Sequence, residues 1–229
     1  MTRSLKPPLV IVNFKTYSEA TGRKAVELAS KAERASRETG IYIGVAPQFA
    51  DIHRVAEAVD LPVYAQHIDP IVPGSFTGHV LAESVIEAGA SGTLINHSER
   101  QLKLADVAFL TRLARDKNLV SCICASNPEV SAAAAILEPN IVSIEPPELI
   151  GTGVAVSRAK PEVVTETVQL VRKLNKNVVI LCGAGISTGE DVAVAIKLGA
   201  QGVLVASRVV LAKDPYTKLC EFADATRKA

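Results

Sequence analysis

The stretch NVVILCGAGISTGEDVAVAIKLGAQGVLVAS, residues 177–207, holds two short apolar runs with a helical pattern between them. The runs, 177–183 and 202–207, are almost unbroken Val, Leu, Ile, Ala and Cys, as strands covered on both faces are. Thr188 stands where a helix N-cap belongs, and Gly199 stands where the helix stops. Strand, helix, strand in that order predicts a parallel pair joined by a right-handed crossover. Working outward, six more such runs precede it: LVIVNF (9–14), YIGVAP (42–47), VYAQHI (63–68), GTLINH (92–97), VSCICA (120–125) and IVSIEP (141–146). Helical patterns fill the gaps. Ala25, Leu28, Ala29 and Ala32 share one face, Asp106 is placed to cap the next long helix, and Pro161 opens another in its first turn. Eight strand–helix alternations with short connections predict an α/β fold, a closed (β/α)8 barrel forming one domain over 1–229. No Gly-x-Gly-x-x-Gly follows the first strand, which speaks against a dinucleotide-binding open sheet.

Composition excludes several classes. The 229 residues are 48% hydrophobic and 21% charged, which is an ordinary globular balance rather than a disordered one. A net charge of +1 provides no field for nucleic acid. No apolar run approaches the roughly 20 residues that cross a bilayer. MTRSLKPPLVIVNF does not read as a secretory signal, because Asn13 and Lys15 interrupt its apolar run. The expectation is a cytoplasmic protein without membrane or nucleic-acid partners. Cys122, Cys124, Cys182 and Cys220 lack the second pair or spaced histidines of a metal site, so reduced core thiols are expected.

In a barrel of this kind the chemistry gathers at the C-terminal ends of the strands. Asn13 and Lys15 end the first strand. Asn96, His97, Ser98, Glu99 and Arg100 follow the fourth, and Glu145 ends the sixth. A carboxylate, an imidazole and an ammonium converging there suit proton transfer beside a carbonyl. The base takes the proton, and the other two stabilise the charge that develops on oxygen. Small residues after strands seven and eight allow backbone N–H groups to approach an anion, which in this fold is a common phosphate site. The residues therefore suggest proton transfer on a small phosphorylated carbonyl compound, with no cofactor and no metal. Taken singly, each has a plainer role: a solvated lysine, a structural histidine, a carboxylate that caps a helix. His67, also near a strand end, is the most plausible decoy among the other histidines.

VNFK (12–15), INHSER (95–100) and IEPPELIGTG (144–153) resemble, in order, three signature segments of the triosephosphate isomerase family, and the chain most resembles its short archaeal branch. The resemblance implies that Glu145 is the base and a neutral His97 the electrophile. It makes Lys15 the electrostatic partner, with Asn13 positioning the substrate and Glu99 supporting Lys15. It implies phosphate binding by backbone groups at Ile150, Gly151, Gly185, Ala206 and Ser207, and a mobile lid over 146–153. Thr77 and Gly78 look like the loop that enters a neighbouring subunit. A homo-oligomer follows from that, a tetramer (a dimer of dimers) being favoured over a dimer. The substrate would be a small phosphorylated triose.

The chain departs from the family in four places. Cys182-Gly183-Ala184-Gly185 replaces Tyr-Gly-Gly-Ser after strand seven, and Ala206-Ser207 replaces Gly-Gly after strand eight. Glu148 stands in place of the lid tryptophan, where it reads as a solvated charge, and His79 stands in place of a glutamate. Two other readings remain: a different phosphate-binding barrel enzyme, such as a ribulose-phosphate epimerase, or a non-catalytic sugar-phosphate binder. The first ordinarily needs metal-binding His and Asp residues on several strands, which the sequence does not present.

Overall fold

The structure is a computed structural model describing residues 5–149, 151 and 153–227. Eight parallel strands run β1 (Leu9–Asn13), β2 (Tyr42–Ala46), β3 (Tyr64–Ala65), β4 (Gly92–Ile95), β5 (Val120–Ala125), β6 (Ile141–Ile144), β7 (Val179–Cys182) and β8 (Gly202–Val205). Their order in the sheet is β2-β1-β8-β7-β6-β5-β4-β3. A parallel bridge between Val45 and Val63 joins the two ends, so the sheet closes on itself as a (β/α)8 barrel.

Period-two alternation sorts the strand residues into two layers. Leu9, Ile11, Tyr64, Leu94, Cys122, Cys124, Ile141, Leu181 and Leu204 fill the barrel interior. Their neighbours, such as Val10, Val12, Ile123, Val142, Ile180 and Val203, face the helices. The Tyr64 ring occupies the interior between two glycines. A Cβ on Gly44 would come within 2.7 Å of the ring and one on Gly92 within 2.4 Å, so glycine on both flanking strands makes room for an aromatic side chain.

The long helices are α1 (Arg23–Thr39), α4 (Leu104–Asp116), α7 (Pro161–Leu174) and α10 (Pro215–Ala225). Between them lie α2 (Ile52–Ala58), α3 (Ala82–Glu87), α5 (Pro128–Ile136) and α8 (Gly189–Lys197). Pro161 opens α7. Thr188 caps α8 in a reciprocal box, its side chain accepting from the Asp191 N–H while the Asp191 carboxylate accepts from the Thr188 N–H. Asp106 is not a cap. α4 starts earlier, with Lys103 at the N-cap position, and Asp106 lies in its first turn, where a negative charge still faces the helix N-terminus favourably. Two one-turn helices were not expected: α6 (Val156–Ala159) and α9 (Ser207–Val210). Four residues are too few to carry a periodic signal. α9 also claims Ser207, which the sequence reading placed at the end of a strand. No helix among the described residues is long and apolar enough to cross a membrane.

Candidate active site

β1 delivers Asn13 and Lys15. The Asn13 side chain is buried and accepts the Lys15 N–H at 2.9 Å, closing a local turn that lets Lys15 hold φ at 47°. Gln66 donates to the carbonyls of Lys15 and Ala46, at 2.9 Å each, and holds that turn from the next layer. The Lys15 Nζ then lies 2.7 Å from Glu99 Oε1.

β4 delivers His97 by breaking its own alternation. Asn96 takes φ 61°, and its side chain is bonded both ways, donating to the Cys124 carbonyl and accepting from the Leu102 N–H. The chain turns there, and His97 meets Glu145, with Nε2 at 3.4 Å from Oε2. The Glu99 N–H donates to His97 Nδ1 at 3.2 Å. Nδ1 is therefore the acceptor, and the proton of a neutral imidazole sits on Nε2, facing the site. Burial, and next the Lys15 charge, push the His97 pKa below its ordinary value, while Glu99 pulls the other way.

β6 delivers Glu145 along its inward face, in phase with Ile141 and Ser143. The residue is 2% exposed. The Ser143 hydroxyl donates to Oε1 at 3.0 Å, whereas Oε2 is buried without a hydrogen-bond partner among the described residues. Burial dominates its titration and raises the carboxyl from the ordinary 4.5 to about 7; Ser143, Cys124 and Lys15 oppose the rise, and Glu99 adds to it. A carboxylate with an idle oxygen and a pKa near neutrality is prepared to take up a proton.

Sequence reasoning missed three supports of this carboxylate: Ser143, Cys124 and Gly183. Hydrogen bonding to Cys122, and then burial, hold the Cys124 thiol well above the ordinary cysteine range, so it lies beside the base as a protonated neighbour. Gly183 is the sharper case. A Cβ there would stand 2.5 Å from Glu145 Cγ and 2.6 Å from both its Oε1 and the Ser143 Oγ. Gly183→Ala is therefore expected to dislodge the carboxylate and lower kcat about 10²-fold, since misplacement by an ångström costs that much. Steady-state kinetics on the folded variant checks this, and unchanged turnover would show that the carboxylate tolerates the shift.

Beside this group lies a cavity lined by Asn13, Lys15, Tyr17, Gly151, Gly153, Gly183, Gly185, Ile186, Ser187, Ala206, Ser207 and Arg208, among others. It gathers the expected phosphate-side positions Gly151, Gly185, Ala206 and Ser207 with Lys15; Ile150 lies outside the described residues. Gly185 is required by close approach. Its φ is 71°, and a Cβ would fall 1.9 Å from the Val154 carbonyl oxygen. Ser187 ties the two segments together, its single hydroxyl proton shared between the carbonyls of Gly153 at 3.1 Å and Gly185 at 2.9 Å.

Further expected positions lie outside this group. Pro147–Leu149 forms a 3-10 turn, and Glu148 is not simply solvated: it accepts from Lys160 Nζ at 2.6 Å. His67 is a structural histidine, bonded to Asp69, which also accepts from Arg100 and from the Val80 N–H. Thr77 and Gly78 lie on an exposed loop.

A (β/α)8 barrel with a carboxylate, an imidazole and an ammonium at the C-terminal mouth of its strands is laid out as an enzyme whose chemistry is done at that mouth. The sequence model of the family described as triosephosphate isomerase matches residues 8–223. The triosephosphate isomerase of Methanothermus fervidus is 54% identical over 214 residues, covering 93% of this chain and 96% of its own length. Those of Methanocaldococcus jannaschii and Methanosarcina acetivorans are each 53% identical, over 90% and 93% of this chain and 94% and 96% of their own lengths. The chain belongs to the triosephosphate isomerase family.

Proposed function

We propose that the protein interconverts dihydroxyacetone phosphate and D-glyceraldehyde 3-phosphate by proton transfer through an enediolate, the usual glycolytic and gluconeogenic step. The observation that carries the mechanism is the idle Oε2 of Glu145, buried and 3.4 Å from His97 Nε2. In this reading Glu145 takes the proton from one substrate carbon and returns it to the next. His97 donates from Nε2 to the substrate oxygens, and Lys15 offsets the negative charge on enediolate and phosphate. Asn13 positions the substrate and holds the turn that carries Lys15, and Glu99 orients both Lys15 and His97. Backbone groups at Ile150, Gly151, Gly185, Ala206 and Ser207 bind the phosphate. Residues 146–153 form the lid, and its closure keeps water from the enediolate.

The chain works as a homo-oligomer in this proposal. Support comes from the exposed loop carrying Thr77 and Gly78, where the apolar side chains of Val72 and Phe76 are also exposed and suit a subunit contact. The archaeal resemblance favours a tetramer, which a sedimentation mass of four chains would bear out and a mass of two would replace with a dimer. The free cysteines suit a reducing cytoplasm.

A coupled assay on the purified protein tests the activity. Turnover of glyceraldehyde 3-phosphate that persists in the presence of a chelator is the expected result. Absence of turnover in the folded oligomer would overturn the reading.

A further inference from the structure

The cavity beside Lys15 contains a second cation that the mechanism above does not use. Arg208, in α9, is exposed and lines that cavity with Lys15, Gly151, Gly185 and Ser207. Its guanidinium lies against the far end of the 146–153 loop. A Cβ on Gly153 would stand 2.1 Å from Arg208 Nη2, and Gly153 has φ 76°, so glycine there leaves room for the arginine.

Among the described residues Arg208 has no hydrogen-bond or ion-pair partner. The carboxylates that share its other flank, Asp214 and Glu221, are already engaged. Asp214 caps α10 through the N–H groups of Tyr216 and Thr217. Glu221 accepts from the Gly189 N–H and from Lys218 Nζ. The guanidinium is therefore free to take an anion.

Charge balance says which anion. A phosphate monoester carries close to two negative charges at neutral pH. The only other cation lining the cavity among the described residues is Lys15, and it already pairs with Glu99 at 2.7 Å. One lysine shared with a carboxylate leaves most of the phosphate charge uncompensated. A guanidinium, with five N–H donors in a planar fork, matches phosphate oxygens in pairs.

We propose that Arg208 is a substrate-binding residue that pairs with the phosphate group of the triose phosphate. This rests on the isomerase reading above and adds a side-chain cation to a site otherwise built from Lys15 and backbone groups. Arg208→Gln and Arg208→Lys, made in the full chain, test it by two readouts: calorimetric titration with inorganic phosphate, and kcat and KM for glyceraldehyde 3-phosphate. In Arg208→Gln the phosphate Kd and the KM are each expected to rise about tenfold, the value of one charge-assisted hydrogen bond, with a much smaller change in kcat. Arg208→Lys is expected to recover part of both. Unchanged phosphate affinity in Arg208→Gln overturns the proposal, as does a fall in kcat with phosphate affinity intact, which would assign Arg208 to the scaffold. A wild type that binds phosphate through Arg208 yet turns over no substrate would support the contact and overturn the isomerase reading alone.

Discussion

Glu145→Gln is expected to lower kcat about 10³- to 10⁴-fold, the upper range for loss of a general base, and at pH 8 to make the protein more stable. Both effects have one cause. The site keeps a carboxyl in a dry place and leaves Oε2 without a hydrogen-bond partner among the described residues. Burial raises its pKa to about 7 in the fold, against an ordinary 4.5. The folded state therefore holds a proton that the unfolded chain releases between those values. Glu145 contributes no penalty below pH 4.5, and stability falls as pH rises from 4.5 to about 7, by roughly 3 kcal/mol once the carboxylate is ionised. The neutral amide removes that penalty and the base together. Urea unfolding at pH 8 and pH 4.5 should show the variant ahead of wild type at the first and level with it at the second. The same titration predicts an acid limb in the wild-type kcat/KM profile near pH 7, since the free enzyme must lose this proton to act as a base. Turnover within tenfold of wild type in Glu145→Gln would remove Glu145 from the role of base. A variant equally destabilised at both pH values would remove the desolvation argument.

His97→Gln should cost about 10²- to 10³-fold in kcat, the range for one donor aimed at a developing oxyanion. The aim comes from the tautomer. The Glu99 N–H occupies Nδ1 at 3.2 Å and leaves the proton on Nε2, the nitrogen that faces Glu145. Burial and Lys15 keep the ring neutral below the ordinary histidine range. A neutral imidazole can donate its proton toward a substrate oxygen without holding a fixed positive charge beside Lys15. Glutamine has an N–H as well, but nothing fixes it: the amide can turn its oxygen to the site instead. Nitrogen NMR on the wild type should find His97 as the neutral Nε2–H tautomer at pH 7.5, and thermal unfolding should show His97→Gln intact. A ring that titrates above pH 6.5, or a variant with near-normal turnover, would refute this account.

Much of this was legible in the residues. Near-continuous apolar runs separated by capped helices are what strands covered on both faces require, and eight of them leave a closed barrel as the economical arrangement. The acids and bases at the strand ends were visible because barrels place chemistry there, so Asn13, Lys15, His97, Glu99 and Glu145 were identified before their distances were. The α4 boundary was less legible, since an aspartate in a first turn and one at a cap look alike in sequence. Glu148 was read as a free charge because Lys160, twelve positions away, gives no sign of where it will reach.

The sequence by itself determined the barrel, its family and the types of group at its mouth, because these follow from periodicity and from short motifs that are local along the chain. Only the tertiary structure decided how those groups work. The near-neutral Glu145 comes from burial, and its position from the missing Cβ of Gly183 just past the end of the neighbouring strand. The His97 tautomer comes from one backbone N–H, and the contact of Arg208 with Gly153 spans 55 positions of chain. Desolvation, steric exclusion and unpaired charge depend on which atoms end up adjacent, and that adjacency exists only after the sheet has closed.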